Sequence, residues 1–325
     1  MAITLKDVAK KAGVTVTTVS RVLNNRGYIS DKTRNKVYQV MEELNYQPNE
    51  IARSLSKKKS NIIGIIIPTV SHPFFSELAF YLEAYAYQKG YKIMLCNSQH
   101  DPKKEKEYTE MLRGNQVDGI IMASHTMEVS EYENLDLPIV TFDRQIEGIP
   151  YISSDNYKGA SLATNLLIDK GCKKLAYISG SLSLNLLANK RNEAFINIAQ
   201  SRNVDYITAQ TDMNVFNTQQ YEGLIRNLFK DHPDIDGVFA SSDLIAANAI
   251  KVSEQLNKRI PKDIKIIGYD DIQMSSLLIP ELTTIRQPIE EMSSLAIELL
   301  NKQINDNDVE IDNILPVALI ERQTT

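Results

Sequence analysis

Thr4-Leu5-Lys6-Asp7-Val8-Ala9-Lys10-Lys11-Ala12-Gly13-Val14-Thr15-Val16-Thr17-Thr18-Val19-Ser20-Arg21-Val22-Leu23 decides the fold of the N-terminus. Leu5, Val8, Ala9 and Ala12 recur at helical spacing and make one apolar face. Thr4 is placed to cap that helix, with Asp7 where a capping-box acid belongs. Gly13 supplies the left-handed residue that ends it. Thr15 can then cap a second helix, with Val19, Val22 and Leu23 facing inward and Val16, Thr17, Ser20 and Arg21 facing out. Short polar side chains, a methyl-bearing tip and one arginine suit base edges in the major groove. The pattern is a helix-turn-helix.

Outward from this stretch, charge is unevenly placed. Residues 1–59 hold 12 Lys/Arg against 5 acids, whereas the whole chain of 325 residues is −5. A basic head on an acidic body implies that the head meets a polyanion and the body does not. The 43% hydrophobic content is ample for buried cores. Cys96 and Cys172 lie beside apolar runs and read as buried thiols of a reducing compartment. Neither a secretory signal region nor a membrane-length apolar run is evident, so a cytoplasmic protein is expected.

A third head helix fits Asp31 to Asn45, capped by Ser30, and Tyr46-Gln47-Pro48-Asn49 breaks it. Glu50 to Ser56 is a short helical candidate, and the basic stretch Lys57-Lys58-Lys59-Ser60 marks a boundary. Beyond it, strand-like runs at 62–68, 91–97, 119–123, 139–142, 174–179, 237–240 and 265–268 alternate with helical stretches. These are 73–89, 103–115, 158–170, 189–202, 218–230, 243–256 and 289–305. Apolar strands separated by amphipathic helices predict an α/β body of parallel sheets with helices on both faces. So many strands imply two lobes, with ligand beyond the carboxyl ends of the strands.

The N-terminal string closely resembles the lactose-repressor/galactose-repressor family of bacterial regulators. The resemblance continues through Ile62-Ile63-Gly64-Ile65-Ile66-Ile67-Pro68, Asn115-Gln116-Val117-Asp118-Gly119-Ile120-Ile121, Ser153-Ser154-Asp155-Asn156, Ile267-Gly268-Tyr269-Asp270-Asp271 and Leu282-Thr283-Thr284-Ile285-Arg286-Gln287-Pro288. Within the family, Ser71-His72-Pro73-Phe74-Phe75, Cys96-Asn97-Ser98-Gln99 and Leu315-Pro316-Val317 look most like sucrose-operon repressors of Gram-positive bacteria. Ribose repressors share similar phrases and come second. The resemblance implies a helix-turn-helix domain over 1–48, a hinge helix and linker over 49–60, and a periplasmic-binding-protein-like body over 61–325. The body's N-lobe is expected at about 61–158 and 288–318, its C-lobe at about 159–287 and 319–325, with crossovers near 157–160, 286–289 and 317–320.

The resemblance also assigns roles. Val16 and Thr17 match positions that distinguish operators, and Arg21 matches a base- or phosphate-contacting position. Thr15, Thr18 and Ser20 are placed for phosphates, and Thr15 fits a pure helix cap equally well. Asn24, Asn25 and Tyr28 resemble backbone-contacting positions. Leu55, with Ala52 one turn before it, matches the hinge leucine that wedges into the minor groove and bends DNA. The expected partners are a palindromic double-stranded operator, a second copy of the chain, and a small sugar as effector.

For the effector, Phe74 and Phe75 match the first pocket loop, with one of them expected in the core. Asp143 and Arg144 follow a strand end, and Asp155 sits at a crossover. Arg191 and Asp270 match groups that bind ligand hydroxyls, where an Arg–Asp pair can grip adjacent hydroxyls. Ser242-Asp243 stands where many relatives have Asn-Asp; Asp155 and Asp243 fit cap positions equally well. Phe216 is preferred to Met213 as a stacking aromatic. The resemblance leaves open whether ligand releases the operator or tightens it, and whether a phosphorylated carrier protein takes part. An enzyme is not expected: no G-x-G or G-K-[ST] loop and no nucleophile elbow occurs. His72, His100, His125 and His232 share no metal spacing with the cysteines, so no metal or cofactor is expected. A sugar-binding transport protein, the alternative for the body alone, does not account for the basic head.

Overall fold

A computed structural model describes residues 3–47, 59–133, 135–212 and 218–325. Ala52, Leu55 and Phe216, expected at the hinge and in the pocket, lie outside the described residues. Two compact units are present, 1–60 and 61–325.

The head is built from α1 (Leu5–Ala12), α2 (Val16–Leu23) and α3 (Asp31–Glu43). Asp7 closes the first turn of α1, its Oδ2 accepting from the Thr4 N–H at 2.8 Å and the Thr4 hydroxyl at 2.7 Å. Gly13 ends α1 at φ +64°, a backbone region that a Cβ disfavours. The Thr15 and Ser30 hydroxyls cap α2 and α3 by accepting from Thr18 and Thr33 N–H groups. The third helix stops two residues short of the expected Asn45, which itself has φ +48°. Val8, Ala9, Ala12, Val19, Val22, Val37 and Val40 form the head core, with Leu23, Met41 and Leu44 packed against it.

The body contains two six-stranded sheets. The first takes β1 (Ile62–Ile67), β2 (Lys92–Asn97), β3 (Gly119–Met122), β4 (Ile139–Phe142), β5 (Tyr151–Ser154) and β11 (Asp312–Leu315), in the order β11-β5-β4-β3-β1-β2. The second takes β6 (Lys174–Ser179), β7 (Asp205–Gln210), β8 (Gly237–Ala240), β9 (Lys265–Asp270), β10 (Thr283–Arg286) and β12 (Ala318–Ile320), in the order β12-β10-β9-β8-β6-β7. The helices are α4 (Pro73–Gln88), α5 (Pro102–Gly114), α6 (Val129–Glu133), α7 (Asn156–Asp169), α8 (Lys190–Ser201), α9 (Thr218–Asp231), α10 (Asp243–Gln255) and α11 (Ile289–Ile304). Ile63, Ile65, Ile66 and Ile67 of β1 are fully buried, as a strand covered on both faces requires.

The chain passes between the sheets at Asp155, at 287–288 and at 316–317. The last passage explains the antiparallel pairing of β12 against β10, the other named strand pairs among the described residues being parallel. Strands of both sheets end toward the space between the lobes. A chain that leaves β11 and crosses directly therefore enters the second sheet from that side and runs the opposite way. Both cysteines are buried free thiols, and burial pushes Cys172 up to about 11. No described helix is long and apolar enough to cross a membrane.

Candidate functional site

In the head, α2 presents a polar surface opposite its buried Val19 and Val22. Thr15, Val16, Thr17 and Arg21 are exposed, while Thr18 and Ser20 are half-buried. Thr15 caps the helix, and its hydroxyl also meets that of Thr18 at 2.9 Å. Asn24 does not project outward: its Nδ2 folds back to donate to the Ser20 carbonyl at 2.9 Å, as a C-cap does. Tyr28 is 95% exposed, which no core role explains.

In the body, a cavity of about 260 Å³ opens between the carboxyl ends of the two sets of strands. Of the residues expected there, Phe74, Phe75, Asp143, Arg191, Ser242 and Asp270 line it. Phe74 and Phe75 meet edge to face at 5.2 Å, and Phe74 belongs to the core of the first lobe. Arg191 is the most constrained group. Its guanidinium lies 3.6 Å from the Tyr269 ring centroid, its Nε donates to Asn156 Oδ1 at 2.6 Å, and its Nη1 donates to the Ser241 carbonyl at 2.8 Å. Asn156 in turn donates from Nδ2 to Asp143 Oδ1 at 3.2 Å, so one amide ties the arginine of the second lobe to the carboxylate of the first. Burial opposes the Arg191 charge, but Tyr269, Asp270 and Asp143 outweigh it and hold the guanidinium firmly protonated.

Asp270 accepts from Gln287 Nε2 at 2.7 Å; burial pushes its carboxyl well above the usual range, with Arg191 opposing. Gln287 Oε1 is buried and has no partner in the protein. It is an acceptor waiting for a donor, because an unsatisfied buried polar atom costs about 1–3 kcal/mol.

Three expected ligand groups are placed elsewhere. Arg144 lies over the Tyr132 ring at 5.1 Å and donates to the His125 carbonyl, so it braces the first lobe. Asp155 accepts from the Lys158 N–H at 3.0 Å, the cap of α7. Asp243 is fully buried and accepts from Ser275 Oγ at 2.6 Å, Ile272 N at 3.0 Å and Thr284 Oγ1. Burial pushes it up to about 6 against those three donors. Gly268 must be glycine there, since a Cβ would collide with the Asp243 carboxylate.

Sequence reasoning missed His72, His100 and His125, which it weighed only as metal ligands; all three line the cavity. Burial lowers all three, His72 and His125 to about 4, so they are neutral at pH 7. His125 donates from Nε2 to the Phe142 carbonyl. Its loop is held from behind by Glu105 of α5, which accepts from the Thr126 hydroxyl at 2.8 Å, the Tyr132 hydroxyl at 2.7 Å and the Met127 N–H at 3.3 Å. The signal available in the sequence was position: His125, Ser241 and Gln287 each follow a strand end.

A helix-turn-helix and a two-lobed cleft in one chain fit the known proteins it is similar to. Residues 4–49 match the lacI family of bacterial regulatory proteins, and residues 164–325 match a periplasmic binding protein-like domain. The chain is 41% identical to the ribose operon repressor of Halalkalibacterium halodurans, over 99% of this chain and 97% of that one. The chain belongs to the lacI family. It is a DNA-binding transcriptional repressor and not an enzyme. It is also 41% identical to the sucrose operon repressor of Streptococcus mutans, over 98% of each chain. Among solved structures, it resembles a periplasmic binding protein/LacI transcriptional regulator from Alkaliphilus metalliredigens complexed with D-xylulofuranose. That match has TM-score 0.77 and 38% identity, covering 82% of this chain and 99% of the other. The lac repressor dimer bound to operator and the anti-inducer ONPF matches with TM-score 0.89 and 25% identity, over 100% of this chain and 99% of the other.

Proposed function

We propose that this repressor binds a palindromic operator of a sugar-utilisation operon as a cytoplasmic homodimer and leaves it when a small sugar enters the interlobe cavity. The observation that carries the reading is the unfilled acceptor Gln287 Oε1, on a cavity wall shared with the carboxyls of Asp143 and Asp270, the Arg191 guanidinium and the rings of Phe74 and Phe75. Sugar hydroxyls donate to the acceptors, and a sugar's apolar face covers an aromatic edge. Sucrose or a related sugar is the effector we favour, on the phrases at 71–75, 96–99 and 315–317. Ribose is the second reading, favoured by the cavity: about 260 Å³ lies just below the usual range of roughly 300–1,000 Å³ for small-molecule sites.

Dimerisation is supported by two exposed apolar patches in the body. Phe80 and Tyr87 of α4 are 67% and 75% exposed. Leu277 and Ile279 are 71% and 87% exposed. Exposed apolar side chains grouped this way are the kind of surface that association covers. A single recognition helix reads few bases, and two-fold pairing doubles the site. Ligand can release DNA only by binding one lobe arrangement better than the other.

The test is a thermal-shift screen of sugars followed by titration of the upstream operator with each hit. Sucrose or ribose that raises the melting temperature and weakens operator binding supports the reading. Hits that all tighten operator binding overturn the inducer assignment, and protection of one isolated half-site by a stable monomer overturns the dimer.

A further inference from the structure

The same cavity carries information about charge. Among the described residues, Arg191 is the single lysine or arginine that lines it, while Asp143, Asp212 and Asp270 are all on its wall. The arginine is already engaged. Asn156 links it to Asp143, Ser241 holds it from the backbone, and Tyr269 covers one face. His72, His100 and His125 add ring nitrogens without adding charge at pH 7. Two of the helices that begin at the cavity, α4 and α10, blunt the anion site that a helix start otherwise makes. Pro73 at the first position of α4 has no N–H to offer, and Asp243 puts a carboxyl into the first turn of α10.

We infer that this cavity selects uncharged sugars and rejects their phosphate esters. The inference rests on the reading of the cavity as the sugar site and narrows its ligand class. A phosphate dianion inside would lie against at least one fixed carboxylate, with a lone guanidinium whose charge that carboxylate already offsets. Like-charge juxtaposition in a desolvated site costs several kcal/mol. A polyhydroxyl ligand meets the opposite situation, since Gln287 Oε1 and the carboxyl oxygens accept from its hydroxyls. The repressor would therefore report free sugar, not the phosphorylated product of uptake or of a kinase.

The test is isothermal titration of the full chain with matched pairs: ribose and ribose 5-phosphate, fructose and fructose 6-phosphate, sucrose and sucrose 6-phosphate. The expected result is a neutral sugar that binds at least about 100-fold more tightly than its ester. Asp143→Asn, which keeps the side-chain shape, should shrink that ratio by about tenfold, the effect of removing one facing charge. An ester that binds as well as its parent, or better, overturns the inference and leaves the sugar site standing. If no sugar and no ester in the panel binds, the sugar-site reading itself fails and takes the inference with it. The wild-type ratio decides the matter even if the Asp143→Asn protein does not fold.

Discussion

Replacing Asp243 by Asn separates a scaffold carboxylate from a ligand-binding one. The group sits behind the cavity wall, where Ser275, Ile272 and Thr284 donate to it. An asparagine of the same shape can satisfy the same neighbours. Its oxygen takes the site of Oδ2 and accepts from Ile272 N–H and the Ser275 hydroxyl. Its amide takes the site of Oδ1 and donates to Thr284, whose hydroxyl turns to accept. The difference between the two side chains is then charge. Burial moves Asp243 from an ordinary 3.8 to about 6 in the folded chain. At 1.36 kcal/mol per pH unit this is worth about 3 kcal/mol.

The sign follows from proton counting. Between 3.8 and 6 the folded state holds the proton and the unfolded state has lost it. Stability from this group is full below pH 3.8 and declines as pH rises through 6. Asparagine does not titrate. The stability of Asp243→Asn relative to wild type should therefore climb by about 2.4 kcal/mol from pH 4 to pH 7. Removing the charge also eases its neighbour Asp270, which Asp243 helps to push up. Urea unfolding at several pH values gives the difference directly. A pH-independent difference would refute the reasoning. So would an Asp243→Asn protein of unchanged stability profile that has lost its effector, because Asp243 would then be a ligand group.

Glu105→Ala leaves the Met127 and Thr126 N–H groups without their acceptor and should cost about 2–4 kcal/mol in urea unfolding. The Glu105 carboxyl lies below its usual range because the hydrogen bonds it accepts outweigh burial, so its contribution is lost as pH falls through that lowered value. Thr15→Ala should lose about 0.5–2 kcal/mol of head stability, while Thr15→Ser retains it; a melt followed by operator titration separates the cap from any phosphate contact. Arg21→Ala should weaken operator binding by about 1–3 kcal/mol at fixed salt without changing effector affinity. Phe80→Glu places a charge on an exposed apolar patch and should weaken the dimer by about 2 kcal/mol or more, read by sedimentation.

The head was legible from sequence because its determinants are local. Thr4, Asp7, Gly13 and Thr15 act within one or two turns of where they stand, and the cap bonds appear where those residue types require them. The seven long body helices were legible for a similar reason: their apolar periodicity survives without knowledge of partners. Strands were harder. β7, Asp205-Tyr206-Ile207-Thr208-Ala209-Gln210, is an edge strand with alternating exposure and lacks the continuous apolar run that marks β1 or β8. β11 and β12 are shorter still, and each is a strand only by pairing with a non-adjacent part of the chain, β11 with β5 and β12 with β10.

The cavity was half-legible for a different physical reason. Resemblance supplies residue types, but which of two adjacent polar residues at a strand end faces the cleft depends on the backbone path there, and a positive φ alone does not decide it, since Asp271 at φ +56° faces its own lobe. Asp143 and Asp270 both have positive φ, +56° and +115°, and both line the cavity. Arg144 follows Asp143 by one residue and folds back into its own lobe. Asp271 follows Asp270 and is taken by Arg286 at 2.6 Å and Arg322 at 2.7 Å. At each strand end, then, the first residue carries the polar group into the cleft and the second braces the lobe. A non-glycine residue at φ +115° costs about 1–3 kcal/mol and persists because the surroundings overdetermine it. For Asp270 those surroundings include Gln287 at the interlobe passage, which donates to its carboxyl, and the charge of Arg191 in the same lobe. The strain therefore sits at the cavity edge of the second lobe, in a residue held by the side chain that stands at the 287–288 passage. That is where a change of lobe arrangement on ligand binding would be felt first.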